Sequence, residues 1–303
     1  MKKKTVIIVA ILSVLCALLA IAGMRILNSH TSNSEAVRLY LPEDATYADL
    51  CDSLDASATF QLMAKTLSLD KRVHPGSYVV EAHMNTLTLV RKLRNGQQDP
   101  IRLTIGKFRT PQQLNDYLNK KLMRNDFNVT LDSFHLIRPE TYEFYWTVTP
   151  GQFMQRMRKQ YQRENLDKET VILASIVEEE TNYNPEKPLI ASVYLNRLRR
   201  GMPLQADPTV KYAVGDFTLR RILNKHLATE SPFNTYLHTG LPPAPICTPS
   251  KTSIAAVINA PQTDYLYFCA SDKMDGTHRF AATLAEHNRN AAAFHTALNR
   301  RGI

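Results

Sequence analysis

This sequence predicts an α+β fold with one N-terminal transmembrane helix. Three observations carry the prediction: an uncharged apolar run near the start, short strand-like and helix-like segments alternating as far as Ile105, and strong helical periodicity from about Pro150 that ends in a small pair of strands and a last helix. The 303 residues are 44% hydrophobic and 21% charged, which allows one large or two smaller folded bodies and excludes a disordered chain.

From Thr5 to Met24 every residue is uncharged, and most are Val, Ile, Leu or Ala. At ~1.5 Å per residue that run spans the ~30 Å hydrocarbon core of a bilayer. Lys2, Lys3 and Lys4 precede it and Arg25 follows, so the positive-inside bias puts residues 1–4 in the cytoplasm, a transmembrane helix over 5–25 and the rest outside. The working part is therefore expected to be extracytoplasmic. The competing reading is a signal peptide cut after Ala20-Ile21-Ala22, but the run exceeds the ~7–15 residues of a signal core, so a retained anchor is expected. Cys16 follows Ser13-Val14-Leu15 without the small residue that precedes a lipidated cysteine. Cys51, Cys247 and Cys269 are odd in number and widely spaced, which predicts three buried thiols, with no disulfide framework and no zinc site.

The formal net charge of +9 raises the question of a polyanionic partner. Outside a membrane the available partners are anionic headgroups and cell-wall polymers, not nucleic acid.

Residues 26–36 form a short polar linker. The next stretch, 37–148, reads as a small module with its connection. Strands are expected at Val37–Leu41, Ser77–Val80 and Ile101–Ile105, and helices from an N-cap at Thr46 through Leu54 and over Leu87–Leu93. No catalytic constellation lies between Val37 and Ile105, so binding or spacing is its expected role. An amphipathic helix follows at Thr110–Leu122. Pro139 to Trp146, with the only Trp, reads as core or hinge in preference to a sugar-stacking platform. The catalytic domain is expected over 149–303, with helices at Gly151–Asn165, Lys168–Thr181 and Lys187–Arg200, strands at Asp264–Cys269 and His278–Phe280, and helix from Thr283.

The chemistry is expected where Val171–Val177 runs into Glu178-Glu179-Glu180-Thr181-Asn182-Tyr183-Asn184-Pro185. At about 100° per residue Ile172, Leu173, Ile176 and Val177 define one apolar stripe; Glu180 falls near its centre and Glu178 on the opposite side. Desolvation and the negative end of the helix dipole should both raise the pKa of Glu180, and a carboxyl protonated near neutral pH is what a general acid for glycosidic cleavage requires. The structural alternative is a Glu180 paired with an arginine or capping a turn.

The segment Glu180-Thr181-Asn182-Tyr183-Asn184-Pro185 resembles the Glu-Ser-x-Phe-Asn-Pro signature of lysozyme-like lytic transglycosylases. A longer resemblance covers Pro139 to the C-terminus: Ser175–Thr181, Ala191–Leu198, Gly201–Val210, Asn234–Tyr236, Gly240–Ile246, Pro139–Tyr142 and His287-Asn288 are similar, in order, to the endolytic murein transglycosylase (YceG-like) family. Ala206 stands where that family often has Thr, and Ala244 where it often has Gly. The resemblance implies an anchor in a bacterial inner membrane and, on its periplasmic side, a LysM-like module and a mainly helical lysozyme-like catalytic domain. It also implies a lyase that cuts the bond between N-acetylmuramic acid and N-acetylglucosamine to leave 1,6-anhydromuramoyl ends, terminating glycan elongation, with peptidoglycan strands as substrate and peptidoglycan synthases as further partners.

By that resemblance Glu180 is the catalytic residue; Glu178 also matches an acidic position of the family, but its direction on the helix predicts a supporting role or a surface ion pair. Gln205, Asp207 and Thr209, read as a Pro-containing loop, and Asn234 and Tyr236 are the candidate sugar contacts, with turn chemistry as the equal alternative for each. The nine histidines show no metal-ligand spacing, so neither metal nor other cofactor is expected. Two further functions remain open: a muramidase in which Glu180 activates water, and a non-catalytic cell-wall scaffold.

Overall fold

The computed structural model describes residues 2–219 and 221–301. Met1, Arg220 and the last two residues of the expected C-terminal domain lie outside them. Short two-stranded sheets sit among helices, so the mixed α+β class holds.

Helix α1, Lys2–Leu27, contains a 21-residue stretch, Ile7–Leu27, with mean hydropathy 2.9 and no buried residue, although Ile26 near its end packs against the core of the module that follows. It is long and apolar enough to cross a membrane.

The chain divides into two compact units. The first holds the chain up to Leu103 together with Glu143–Val148. Its strands β1 (Val37–Leu41) and β2 (Gly76–Val80) pair antiparallel, with Leu39 opposite Tyr78. Between them lie α2 (Tyr47–Leu54) and α3 (Ala58–Thr66), and after them α4 (Thr86–Arg94). Thr46 caps α2 in a box with Asp49, as its position before the apolar residues predicts. Helix α3 is absent from the sequence reading, although Ser57 is a good N-cap, because only nine residues carry its pattern. Leu39, Leu41, Leu50, Phe60, Met63, Tyr78, Leu89 and Leu93 make this core, each burial contributing roughly 1.5–3 kcal/mol. Trp146 is 7% exposed and its ring centroid lies 5.3 Å from that of Tyr40, which makes it core of this unit and not a sugar platform.

The boundary runs through β3 (Ile101–Thr104) and β4 (Thr141–Phe144), which pair with one another. Residues 104–142, grouped by the sequence reading with the N-terminal module, belong instead to the second unit. Long-range hydrogen bonds hold them there: the backbone N–H of Thr248 donates to the Phe108 carbonyl at 2.8 Å and its hydroxyl to the Gly106 carbonyl at 3.0 Å. Here lie α5 (Pro111–Leu122), whose N-cap is Thr110, and the single turn α6 (Leu131–Phe134).

The rest of the second unit runs α7 (Pro150–Arg163), α8 (Lys168–Glu180), a 3-10 turn (Asn184–Glu186), α9 (Lys187–Arg199), α10 (Asp207–Val214), α11 (Asn224–Leu227), α12 (Lys251–Ile258), the antiparallel pair β5 (Tyr267–Ala270) and β6 (His278–Ala281), and α13 (Leu284–Arg300). Every residue from Val171 to Val177 is buried, with α9, α10 and α12 packed around α8. The helix is therefore central over this stretch, buried beyond the single stripe that Ile172, Leu173, Ile176 and Val177 define. Ala206 and Ala244, the two departures from the family pattern, are both 1% exposed in this core. Of the three cysteines expected to be buried, only Cys247 is; Cys51 and Cys269 are half-buried, and all are free thiols.

Candidate active site

Glu180 is the last residue of α8, and the chain turns extended at Thr181. The helix thus delivers a carboxyl from the core to the wall of an open cleft of about 680 Å³, lined by Glu180–Tyr183 together with Ala270, Ser271, Met274–His278 and Phe294. Glu180 keeps partial access to solvent there. Burial pushes its pKa up to about 7. The negative charges of Asp207 and Glu179 add to the rise, while a hydrogen bond from Tyr194 and the charge of Lys211 oppose it.

Tyr194, on α9, is 2% exposed and donates to Oε1 of Glu180. Its ring stands edge-on to Phe268 at 5.8 Å. Burial and the adjacent Glu180 hold its own pKa well above the usual phenol value, so it remains a donor.

The two segments expected to contact sugar are stitched together. Gln205 donates its backbone N–H to the Thr235 carbonyl at 3.1 Å, and Ala206 donates to Thr235 Oγ1 at 3.0 Å. Thr209 Oγ1 lies 2.8 Å from the same hydroxyl. Tyr236 donates to Asp207 Oδ1 at 2.7 Å. Gln205 has φ +52°, a left-handed conformation uncommon for a side-chain-bearing residue, and its Oε1 accepts from Arg197 at 3.2 Å. Arg197, 8% exposed, also donates to the carbonyls of Leu204 and Leu266 at 2.9 and 2.7 Å, locking this turn to the start of the β5–β6 hairpin.

Asp207 and Thr209 are not in a loop. They open α10, with Pro208 in the first turn, where its missing N–H costs nothing. Thr209 and Asn234 are both fully buried, and Asn234 spends its amide on the carbonyls of Leu227 and Thr229, each at 2.9 Å. Both hold the scaffold, and turn chemistry is the better account of them. Gln205 and Asp207 are exposed and Tyr236 half-exposed.

Glu178, expected in a supporting role or a surface ion pair, is ion-paired, but the pair is largely buried. Its Oε2 receives Lys187 Nζ at 3.1 Å, the Ser250 hydroxyl at 2.6 Å and the Ser253 hydroxyl, and the Lys187 side chain is 5% exposed. Burial alone would raise the Glu178 pKa, but the two serines and Lys187 together hold it below the usual value. Glu179 faces Lys107 and Arg109, each at 3.1 Å.

Tyr194, Lys211 and Arg197 escape the sequence reading as site residues. Tyr194 and Arg197 lie in a motif that gives no hint of their partners; Lys211 would have emerged had Asp207-Pro208 been read as a helix start.

A sequence model of the YceG-like family matches residues 39–293. The endolytic murein transglycosylase of Bacillus subtilis is 47% identical over 117 residues, 39% of this chain and 32% of that protein. Those of two Streptococcus pneumoniae strains are 38% identical over 128 residues, 41% of this chain and 23% of theirs. The matched part of the chain thus spans a third or less of the length of these curated relatives. The crystal structure of a yceG-like protein from Listeria monocytogenes superposes with a TM-score of 0.50 at 27% identity, covering 85% of this chain and 99% of that one.

Proposed function

The chain belongs to the YceG-like family, and from that premise we propose that it is a membrane-anchored lytic transglycosylase that cuts peptidoglycan strands internally, with Glu180 as its acid and base. The observation that carries the proposal is a carboxyl at the wall of an open cleft whose pKa lies near 7, so that much of it is protonated when substrate arrives. The names of the relatives support the substrate and the reaction class.

In this reading Tyr194 occupies Oε1, which leaves Oε2 to carry the proton toward the cleft. Glu180 protonates the oxygen between N-acetylmuramic acid and N-acetylglucosamine. The resulting carboxylate takes the proton of the muramoyl 6-hydroxyl, whose oxygen attacks C1 as the glycosidic bond breaks and closes a 1,6-anhydro ring. Water takes no part, and an intramolecular nucleophile removes the need for the second carboxylate of an ordinary glycosidase. Gln205, Asp207 and Tyr236 are the proposed sugar contacts.

Helix α1 would hold the second unit close to the outer face of the inner membrane, where new strands emerge and where synthases are the natural partners. The βααβ order of the first unit, with its outer strands paired, supports reading it as the LysM-like module. The test is mass spectrometry of glycan fragments released from intact sacculi. Products lighter by one water than reducing-end muropeptides are expected; reducing ends would make the protein a muramidase, and no release would make it a scaffold.

A further inference from the structure

A second polar pair reaches the same cleft. His278 opens β6 and lines the cleft together with Glu180. Its Nδ1 lies 2.7 Å from Glu186 Oε2, and its backbone N–H donates to Glu186 Oε1 at 3.0 Å. Glu186 is 9% exposed, at the end of the 3-10 turn just beyond Glu180, and both its oxygens are committed to this one residue. Phe268 stands edge-on to the imidazole at 5.5 Å.

The arrangement specifies more than packing. A carboxylate has no proton to donate, so Nδ1 carries the hydrogen, and whenever the ring is neutral Nε2 is an acceptor. A largely buried carboxylate that fixes both the orientation and the tautomer of an imidazole in a cleft wall has the form of a device for presenting that second nitrogen. We propose that His278 is a substrate-contacting residue, whose Nε2 accepts a hydrogen bond from a hydroxyl or acetamido N–H of the amino sugar lying beside Glu180, and that Glu186 is its positioning residue. This rests on the reading of the cleft as a glycan site. One sugar would then be held by two elements of the cleft, β6 and the end of α8, which orients the scissile oxygen toward Glu180.

The test measures affinity for glycan strands in the full chain in detergent, in a Glu180→Gln background that holds substrate without turning it over. His278→Asn places an amide N–H where Nδ1 stood and keeps the bond to Glu186, but nothing replaces Nε2. Glu186→Gln is isosteric: its oxygen still accepts the His278 backbone N–H while its amide donates to Nδ1, which forces the proton onto Nε2 and turns the acceptor into a donor. Each should weaken binding roughly three- to tenfold, the worth of one hydrogen bond, at unchanged melting temperature. With Glu180 intact, each should raise KM more than it lowers kcat. If His278→Asn proves unstable, Glu186→Gln decides alone. Undiminished affinity in a stable variant overturns the inference. Weakened binding in a chain that never cleaves glycan would uphold it and remove the transglycosylase reading; cleavage with undiminished binding in the variants would do the reverse.

Discussion

The buried hydroxyl of Tyr194 donates a hydrogen bond to Oε1 of Glu180, tying the end of α8 to the middle of α9. The bond favours the charged carboxylate and so works against the burial that lifts Glu180 to about 7. Tyr194→Phe should therefore keep Glu180 protonated to higher pH. The alkaline limb of the rate profile should move upward, while the maximal rate falls about tenfold as the carboxyl loses its orienting partner. A rate profile on sacculi in which that limb stays put would count against this role.

Asp207→Asn should act in the opposite direction. The Asp207 charge helps raise Glu180, and Tyr236 can still donate to the asparagine oxygen. The alkaline limb should move to lower pH without loss of folding. Comparing the two variants separates an effect of charge from one of packing, because a packing defect would slow both without opposed shifts.

Glu180 also makes stability depend on pH. Its folded-state pKa is raised from 4.5 to about 7, so between those values the folded chain binds a proton that the unfolded chain does not. The contribution is fully present below the unfolded pKa and is lost as pH rises through the folded one, up to ~3 kcal/mol in all. Glu180→Gln should be as stable as the parent at pH 5 and more stable at pH 8, as read by urea unfolding. A marked loss at pH 8 would revive the reading of Glu180 as a paired structural carboxylate.

Glu178→Gln should be costly for the fold. It leaves Lys187, 5% exposed, without its carboxylate, a loss of roughly 3 kcal/mol or more. Because the Glu178 pKa is held down, its contribution is present above the unfolded value and disappears as pH falls through the folded one. The parent should lose this increment on acidification and the variant should not; equal unfolding midpoints at neutral pH would show the network to be idle.

Much of this architecture was legible because it is local. Thr46 and Thr110 announce their helices as caps, and the alternation in Val37–Leu41 fixes a strand whose partner is also recognisable. The raised pKa of Glu180 was legible too, since an acid that continues an apolar helix stripe is aimed at the core. What surrounds it was not. Tyr194 is fourteen residues away on the next helix, and His278 meets Glu186 across 92 residues, separations at which no periodicity speaks. The partners of Glu178 were not legible, because α12 and its cap Ser250 cover that side of α8 from more than seventy residues away. Asp207-Pro208 was misjudged because the pair serves turns and helix starts alike, and only the packing of α10 against α8 chooses between them.

The central claim is that one titrating carboxyl carries the reaction. Glu180→Gln keeps shape and hydrogen-bonding capacity and removes only the proton. The direct measurement is release of anhydromuropeptides from sacculi by the parent and by this variant, each verified to be folded. The account predicts release that falls by at least about a thousandfold, with glycan binding retained. Release by the folded variant at near the parental rate would contradict it.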